Sequence, residues 1–310
     1  MSRRAWVGGL ISVVLLGLLA WYVEPARILA AVADAHLGLL AAAVAVHCLH
    51  LLLRVQRFAG LVGEEGLASR ASFDAVFVGW LANLTLPAKA GEFARPVLYG
   101  RWSERPVAAA VGAMVVERAL DLLGLGVLFA GALLLGLPAS LPSWVQTAAW
   151  TAAGLAGVVL LLLGLLGRFG DDHGLIGGFR EGLVAVGGLR PLLAGGAWTL
   201  GIWGLEVLGA LLTLRAVGSS PEGLLAACAV LVVATTLAVA APAGPAGLGV
   251  EQWVSVLVLA AWGVSEAQAV AASFLLLLAA VVWIAPAGGL ALLRQGTPGD
   301  LRNTNRTPGS

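Results

Sequence analysis

Long apolar runs follow one another along this chain and constrain its fold more than any other feature. They cover residues 6–23, 37–53, 72–86, 107–136, 144–167, 191–217, 223–241 and 253–290, the last interrupted near Gly263 to Glu266. Hydrophobic residues make up 60% of the sequence and charged residues 11%, whereas about a quarter of the residues in soluble domains are charged. A helix needs about 20 apolar residues to cross a bilayer. The sequence therefore predicts an all-α polytopic membrane protein.

Two stretches among these runs combine helix breakers with ionisable side chains. They are LPAKAGEFAR (86–95) and APAGPAGLGVE (241–251). In hydrocarbon, unpaired backbone groups and lone charges are costly, so such segments persist only where protein or water surrounds them. The run at 72–86 and the first part of 253–290 are also short for a full crossing. We therefore predict two re-entrant helical hairpins, with eight full spans as the alternative.

The basic residues distinguish these topologies, because cytoplasmic loops are enriched in Lys and Arg. Suppose that residues 72–100 enter and leave on the cytoplasmic side, and residues 222–262 on the outer side. Most of the 18 basic residues are then cytoplasmic, Arg54 and Arg57 among them. If every run crossed, Arg101 and Arg105 would lie outside and the bias would weaken. The distribution favours six spans plus two hairpins, with both termini cytoplasmic.

This topology contains an internal symmetry. Residues 37–136 and 191–290 would each contain a span, a hairpin and a second span, entering the membrane in opposite senses. We expect residues 1–294 to form one transmembrane domain with these two inverted repeats, a plan found in many alternating-access transporters. Residues 295–310 are polar and rich in Gly and Pro, and we expect a disordered cytoplasmic tail.

Three motifs carry a family resemblance. NLTLPAKAGEFARP (83–96), ERALD (117–121) and PAGPAGLGVE (242–251), in this order, resemble the lysylphosphatidylglycerol synthase transmembrane-region family. This is the flippase-like domain of multiple peptide resistance factors and of stand-alone bacterial and archaeal membrane proteins. The resemblance covers about residues 6–293 and implies lipid translocation in the cytoplasmic (inner) membrane of a bacterium or archaeon. No aminoacyl-transferring domain accompanies it in this sequence, so synthesis of lysylphosphatidylglycerol is not implied.

Ionisable residues inside the apolar regions are the candidate site. Charges at membrane depth must face one another or water. On the helix predicted at 107–136, Glu117 and Asp121 share a face, whereas Arg118 points about 100° away. In the first hairpin Lys89, Glu92 and Arg95 follow at spacings of three and line one stripe. We predict that the substrate contacts nine residues: Lys89, Glu92, Arg95, Glu117, Arg118, Asp121, Gly247, Gly249 and Glu251.

The cations of this set suggest the chemistry. Lys89, Arg95 and Arg118 suit an anionic phosphate head group, because guanidinium groups match phosphate oxygens. The alternative is an internal salt-bridge network with Glu92, Glu117 and Asp121 that binds no ligand. Both arrangements are compatible with different states of a transport cycle.

The second hairpin offers glycine backbone and one carboxylate. Gly247 and Gly249 allow close backbone approach to a ligand, although a glycine cluster is also typical of a plain tight turn. Glu251 has no cation in its own segment. We expect its partner to be Arg118 or a proton, so proton-coupled transport is one interpretation.

A second group of titratable residues is a candidate proton relay. His47 and His50 are neighbours on one helical face, and Glu206 is an isolated acid in a later span. Packing histidines with satisfied hydrogen bonds are the alternative. A metal site would need a third ligand and no metal motif is present, so we predict no metal and no cofactor.

We therefore predict a lipid transporter or flippase, and not an enzyme, whose substrate is an amphiphile with a polar, phosphate-containing head group. A membrane-embedded enzyme acting on a lipid phosphate and a non-transporting scaffold for a lipid-modifying enzyme are the alternatives. The net charge of +1 gives no basic face for nucleic acid. Expected partners are a membrane lipid, a lipid-synthesising enzyme and a second copy of the chain.

Overall fold

The described part of the chain is helical throughout. The computed structural model describes residues 3–86, 89–103, 105–169, 189–240 and 245–295, and no strand occurs in these ranges. In chain order the α-helices are α1 (Arg3–Tyr22), α2 (Pro25–Ala33), α3 (Leu37–Leu61), α4 (Arg70–Thr85), α5 (Ala90–Ser103), α6 (Val107–Leu134), α7 (Ser143–Phe169), α8 (Leu189–Ala216), α9 (Leu224–Ala240), α10 (Val250–Leu259) and α11 (Glu266–Gln295). The expected tail lies outside the described residues, except for Gln295 at the end of α11.

Several helices have the length and composition to cross a membrane. Three pass on both counts, namely Leu37–Leu61, Leu193–Ala216 and Glu266–Gln295. A fourth candidate is the pair Ser12–Tyr22 and Pro25–Ala33, which meet at an angle of 84°. Helix α6, at 28 residues, is also long enough, but it carries the ionisable ERALD segment. The prediction of an all-α membrane protein is confirmed.

Helices α3 and α8 pack side by side in opposite directions. At the start of α3, the amide of His36 donates to the carbonyl of Ala216 at the end of α8, at 2.8 Å. Near the end of α3, the guanidinium of Arg57 donates to the hydroxyl of Thr199 at 2.9 Å. These contacts make the two helices an antiparallel pair, which forms the centre of the molecule.

Helices α4 and α5 form a hairpin held by a contact between two glycines. A Cβ atom on Gly91 would overlap the carbonyl group of Gly79, so only glycine permits this approach. The amide of Gly91 also donates to Asn83 Oδ1 at 2.9 Å. At the open end, the guanidinium of Arg105 donates to the carbonyl of Val62 at 2.7 Å. The hairpin therefore returns to the end of α3.

Helices α9 and α10 pack against each other as the second hairpin. Gln268, at the start of α11 directly after this hairpin, donates its side-chain amide to the carbonyl of Val217 at 3.0 Å, so the open end of the hairpin lies near the end of α8. Because α3 and α8 are antiparallel, the open ends of the two hairpins lie at opposite ends of the α3–α8 pair.

The remaining packing is reciprocal. Helix α6, which follows the first hairpin, packs against α9 and α8, whereas α11, which follows the second, packs against α4 and α3. Apolar side chains form one buried cluster around α3, α4 and α5 and another around α8, α9 and α10, and α6 and α11 contribute to both. The ionisable residues of α3 and α6 face each other between these apolar regions.

Candidate functional site

One stripe of α3 carries four polar residues toward the centre of the molecule. His47, His50, Arg54 and Arg57 follow at spacings of three, four and three, so they lie on one helical face. Arg57 is only 1% exposed. Counting Arg54 and Arg57 as cytoplasmic loop charges was wrong, because α3 continues to Leu61 and their charges are compensated by acids on α6.

Two carboxylates of α6 sit among four arginines. Glu117 lies 3.2 Å from Arg57 and 2.7 Å from Arg95. Asp121 lies 2.7 Å from Arg57 and 3.7 Å from Arg54. Arg57 and Glu117 are almost fully buried, and buried charges in such surroundings require partners of this kind. Helices α3, α5 and α6 thus meet through ion pairs.

Arg118 also joins this group, although its position on the helix predicts another direction. Its side chain folds back, so that the guanidinium lies 2.8 Å from Glu117 and 3.0 Å from Asp121. It also lies 3.7 Å from Glu92. The flexible stem of arginine lets the charge depart from the Cβ direction that helical spacing predicts.

A small cavity opens where these arginines meet the first hairpin. Its volume is about 80 Å³.

 The 80 Å³ cavity, here called the arginine pocket, is lined by the side chains of Arg54, Arg95, Arg118 and Glu92, with Gly79, Trp80, Asn83 and Gly91 completing its wall. The Nε atoms of Arg95 and Arg118 are buried and have no hydrogen-bond partner among the described residues. The pocket thus offers three cations and one carboxylate.

Two further contacts position the arginines of this pocket. The guanidinium of Arg95 stacks over the Phe58 ring at 4.7 Å, and that of Arg54 over the Trp203 ring at 5.0 Å. Such cation–π contacts stabilise a charge without using its hydrogen-bond donors. Lys89 lies in the turn before α5 with a φ of 50°, and it is not among the residues that line the pocket.

The predicted proton-relay residues lie together, next to a second cavity. His50 Nδ1 is 3.1 Å and His47 Nδ1 is 3.9 Å from a carboxylate oxygen of Glu206. His47, Glu206 and Glu251 line a cavity of about 140 Å³, here called the carboxylate cavity. The sequence alone did not predict that Glu251 would share a cavity with Glu206.

Glu251 does not pair with Arg118. Within the described residues it has no ion pair within 4.0 Å, and the carboxylates that pair with Arg118 are those of Glu92, Glu117 and Asp121. The sequence predicted Arg118 or a proton as the partner of Glu251, and the structure does not form the pair with Arg118.

His47, His50 and Glu206 have ligand atoms within 4.8 Å of one another, a spacing that could hold a metal ion. The structure thus supplies the third ligand that the sequence lacked. However, Arg54 Nε donates to His50 Nε2 at 2.8 Å. A neutral imidazole that accepts at Nε2 carries its proton on Nδ1, and Nδ1 is the nitrogen that faces Glu206. This arrangement suits a proton better than a metal.

Gly247 and Gly249 form a tight turn that packs against α1. Their φ angles are 68° and 86°, in the region that favours glycine. A Cβ atom on Gly249 would lie 2.8 Å from Leu15 Cβ. Ser12 Oγ donates to the carbonyl of Leu248 at 2.7 Å. In this conformation, protein atoms occupy the space that a ligand would need beside Gly249.

The comparisons with known proteins agree with this architecture. The family model described as "Lysylphosphatidylglycerol synthase TM region" matches residues 5–289. The chain is 29% identical to a protein of Haloferax volcanii named "Glycosyltransferase AglD", over 89% of this chain and 52% of that protein. The chain thus spans about half the length of this curated relative. No solved structure matches it. The protein belongs to the lysylphosphatidylglycerol synthase transmembrane-region family.

Proposed function

We propose that the protein is a flippase that moves an amphiphile with an anionic, phosphate-containing head group between leaflets. The arginine pocket is the observation that carries this proposal. Three guanidinium groups and one carboxylate line it. Among the described residues, the cluster around it has four arginines against three carboxylates, those of Glu92, Glu117 and Asp121. Phosphate oxygens accept guanidinium donors in bidentate geometry. The acyl or isoprenoid chains would remain in the bilayer.

We propose alternating access as the mechanism, with six spans and two re-entrant hairpins in an inverted repeat. Helices α4 and α9 have 16 and 17 residues, which at about 1.5 Å per residue is short for a bilayer core of about 30 Å. The antiparallel α3–α8 pair and the reciprocal contacts of α6 and α11 are those expected of inverted repeats.

We infer that the open end of the first hairpin faces the cytoplasm and that of the second faces outward, in the cytoplasmic membrane of a bacterium or archaeon. With Arg54 and Arg57 left out, the basic residues outside the apolar runs still support this orientation. It places both termini inside. A lipid-synthesising enzyme and a second copy of the chain remain our proposed partners.

An enzyme acting on a lipid phosphate is the second candidate, and the name of the Haloferax volcanii relative favours it. The candidate bases argue against it. Glu117 lies within 3.2 Å of Arg57, Arg95 and Arg118, and these contacts favour its ionised, hydrogen-bonded form over a base that accepts a substrate proton. A non-transporting scaffold would need no arginine pocket.

Transport assays in liposomes test this function. We expect the purified protein to move a fluorescent anionic phospholipid or isoprenoid phosphate between leaflets. Arg118→Gln should slow this movement about tenfold or more, because charge-assisted contacts are worth about 1.5–3 kcal/mol. The remaining arginines still pair with Glu117 and Asp121, so the fold should persist. The matched control is Arg101→Gln, at an exposed position on α5.

Three outcomes distinguish the candidates. Loss of movement in Arg118→Gln with normal rates in Arg101→Gln supports transport. Release of a free head group by the wild-type protein favours the enzyme. If the rates equal those of empty liposomes for both anionic phospholipids and isoprenoid phosphates, the proposed transport is refuted and the scaffold is the remaining candidate.

A further inference from the structure

A chain of polar contacts joins the carboxylate cavity to the arginine pocket. Glu206, which lines the cavity, is 3.1 Å from His50 Nδ1. The other nitrogen of this ring, Nε2, accepts from Arg54 Nε at 2.8 Å. Arg54 in turn lines the arginine pocket. The two cavities are therefore connected through a single imidazole ring.

The state of this ring determines what Arg54 can contact. The guanidinium of arginine only donates hydrogen bonds, so its bond to His50 requires a lone pair on Nε2. If a second proton binds to the ring, Nε2 becomes a donor and His50 becomes a cation. The hydrogen bond must then break, and two like charges are left at a short distance.

Carboxylates beside the ring can stabilise its cationic form. Two carboxylates, Glu206 and Glu251, line one small cavity together with His47. Two carboxylates that share a site resist being ionised at the same time, because their negative charges repel each other. The other polar side chains lining the cavity are the hydroxyl groups of Thr235 and Ser255, and α11 contributes the apolar Leu276, Leu277 and Ala280.

The two arginines on the other side of His50 oppose a positive charge on its ring, whereas Glu206 favours it. Arg54 and Arg57 lie along the same stripe of α3, and Asp121 of α6 is 3.7 Å from Arg54. The carboxylate of Asp121 therefore already attracts the guanidinium of Arg54 toward the arginine pocket. Release of Arg54 by His50 would add one donor to this side.

We propose that His50 and the carboxylates beside it form a proton-binding site, and that a proton bound at His50 Nε2 frees Arg54 for the arginine pocket. The proton comes from water and adds to the Nε2 lone pair, while only the Arg54–His50 hydrogen bond breaks. A proton and an anionic head group then bind together, and each promotes binding of the other. The coupling, although not the proton site, rests on the proposed function.

Binding measurements with a short-chain phosphatidylglycerol test the coupling. A phosphodiester is the appropriate probe because its charge stays constant between about pH 6 and pH 8, unlike that of a phosphomonoester. We expect binding about tenfold tighter at pH 6 than at pH 8, which corresponds to the gain of one charge-assisted hydrogen bond. Binding in weakly buffered solution should also take up protons.

His50→Gln should abolish both the pH dependence and the proton uptake, and Glu251→Gln should reduce the uptake. His36→Gln is the matched control, because His36 is exposed at the start of α3 and lies outside the cavity. Nitrogen NMR of the histidine rings reports the site without lipid. The His50 ring should be protonated at Nδ1 at high pH and doubly protonated at low pH, with His36 as an internal reference.

The outcomes separate the two proposals. Equal binding of lipid at both pH values in the wild-type protein would overturn the coupling and leave the proposed function intact. Titration of His50 without binding at either pH would refute the function and the coupling but support the proton site. A change in the His47 and His50 signals on adding a chelator would show a bound metal and overturn the proton assignment.

Discussion

Glu64 illustrates, at the scale of a single residue, how the first hairpin is attached to its neighbours. It lies in the turn between α3 and α4, and its carboxylate accepts from the Ser69 amide at 2.8 Å and from the Ser72 and Tyr99 hydroxyls, both at 2.9 Å. Burial raises the pKa of Glu64, but these hydrogen bonds outweigh it and hold the pKa below its ordinary value. Such a carboxylate stabilises the folded state only while ionised.

We expect Glu64→Gln to lower the free energy of unfolding by about 1 kcal/mol at pH 7, since hydrogen bonds to a charged acceptor are lost. Because the folded pKa lies below the ordinary value, the contribution is complete above that value and is lost as the pH falls through the folded pKa. Denaturant unfolding in detergent at pH 7 and at pH 4 measures the difference between variant and wild type. It should shrink at the lower pH. The control is Glu65→Gln, at an exposed neighbour; an equal loss there would contradict the prediction.

The buried residues show which side chains the sequence can locate. Charges inside an apolar helix must find partners, and this rule brings Arg95, Glu117 and Asp121 to one place. Arg57 was missed because it follows the end of an apolar run, where loop and helix cannot be told apart by hydropathy. Its spacing from His47, His50 and Arg54 was the available signal. The direction of Arg118 could not be predicted, because helical spacing fixes Cβ and not a guanidinium.

At the scale of elements, helix breakers beside short apolar runs predicted where the two hairpins would form. The structure has helix pairs at both positions, α4 with α5 and α9 with α10. The contact of the second hairpin with α1 was not predictable. Ser12 and Leu248 are 236 residues apart, and no motif or hydrophobic period in the sequence links the two positions. The Gly79–Gly91 contact likewise depends on tertiary packing, although glycine in a helix already suggests a close approach.

Cysteine labelling tests the orientation of the hairpins. Leu67 and Glu222 are exposed and precede α4 and α9, so they mark the open ends of the two hairpins. In a background with Cys48 and Cys228 replaced by Ala, we expect Leu67→Cys to react with an impermeant maleimide only from the cytoplasmic side. Glu222→Cys should react only from the outside. Labelling of both from one side would exclude the inverted arrangement.

For the whole molecule, contacts between its two halves, residues 37–136 and 191–290, limit how it can move. Each half contacts the hairpin of the other through its last helix, α6 on α9 and α11 on α4. Alternating access would have to change at least one of these contacts. The pattern also explains why the ion-pair cluster of the four arginines lies at the centre: it joins α3, α5 and α6, and through Arg57 it reaches α8.

A reversible cross-link between the halves tests this motion. A Cβ atom on Gly288 of α11 would lie 2.9 Å from Leu81 Cβ on α4, and a shift of about 1 Å gives disulfide geometry. In the cysteine-free background, we expect the Leu81→Cys/Gly288→Cys pair to stop lipid movement when oxidised and to recover on reduction. Gly126→Cys/Ala153→Cys provides the matched control, because it joins α6 to α7 without linking the halves. Full transport by the oxidised Leu81→Cys/Gly288→Cys protein would show that α4 and α11 stay together throughout the cycle, and the movement would then have to occur between α6 and α9.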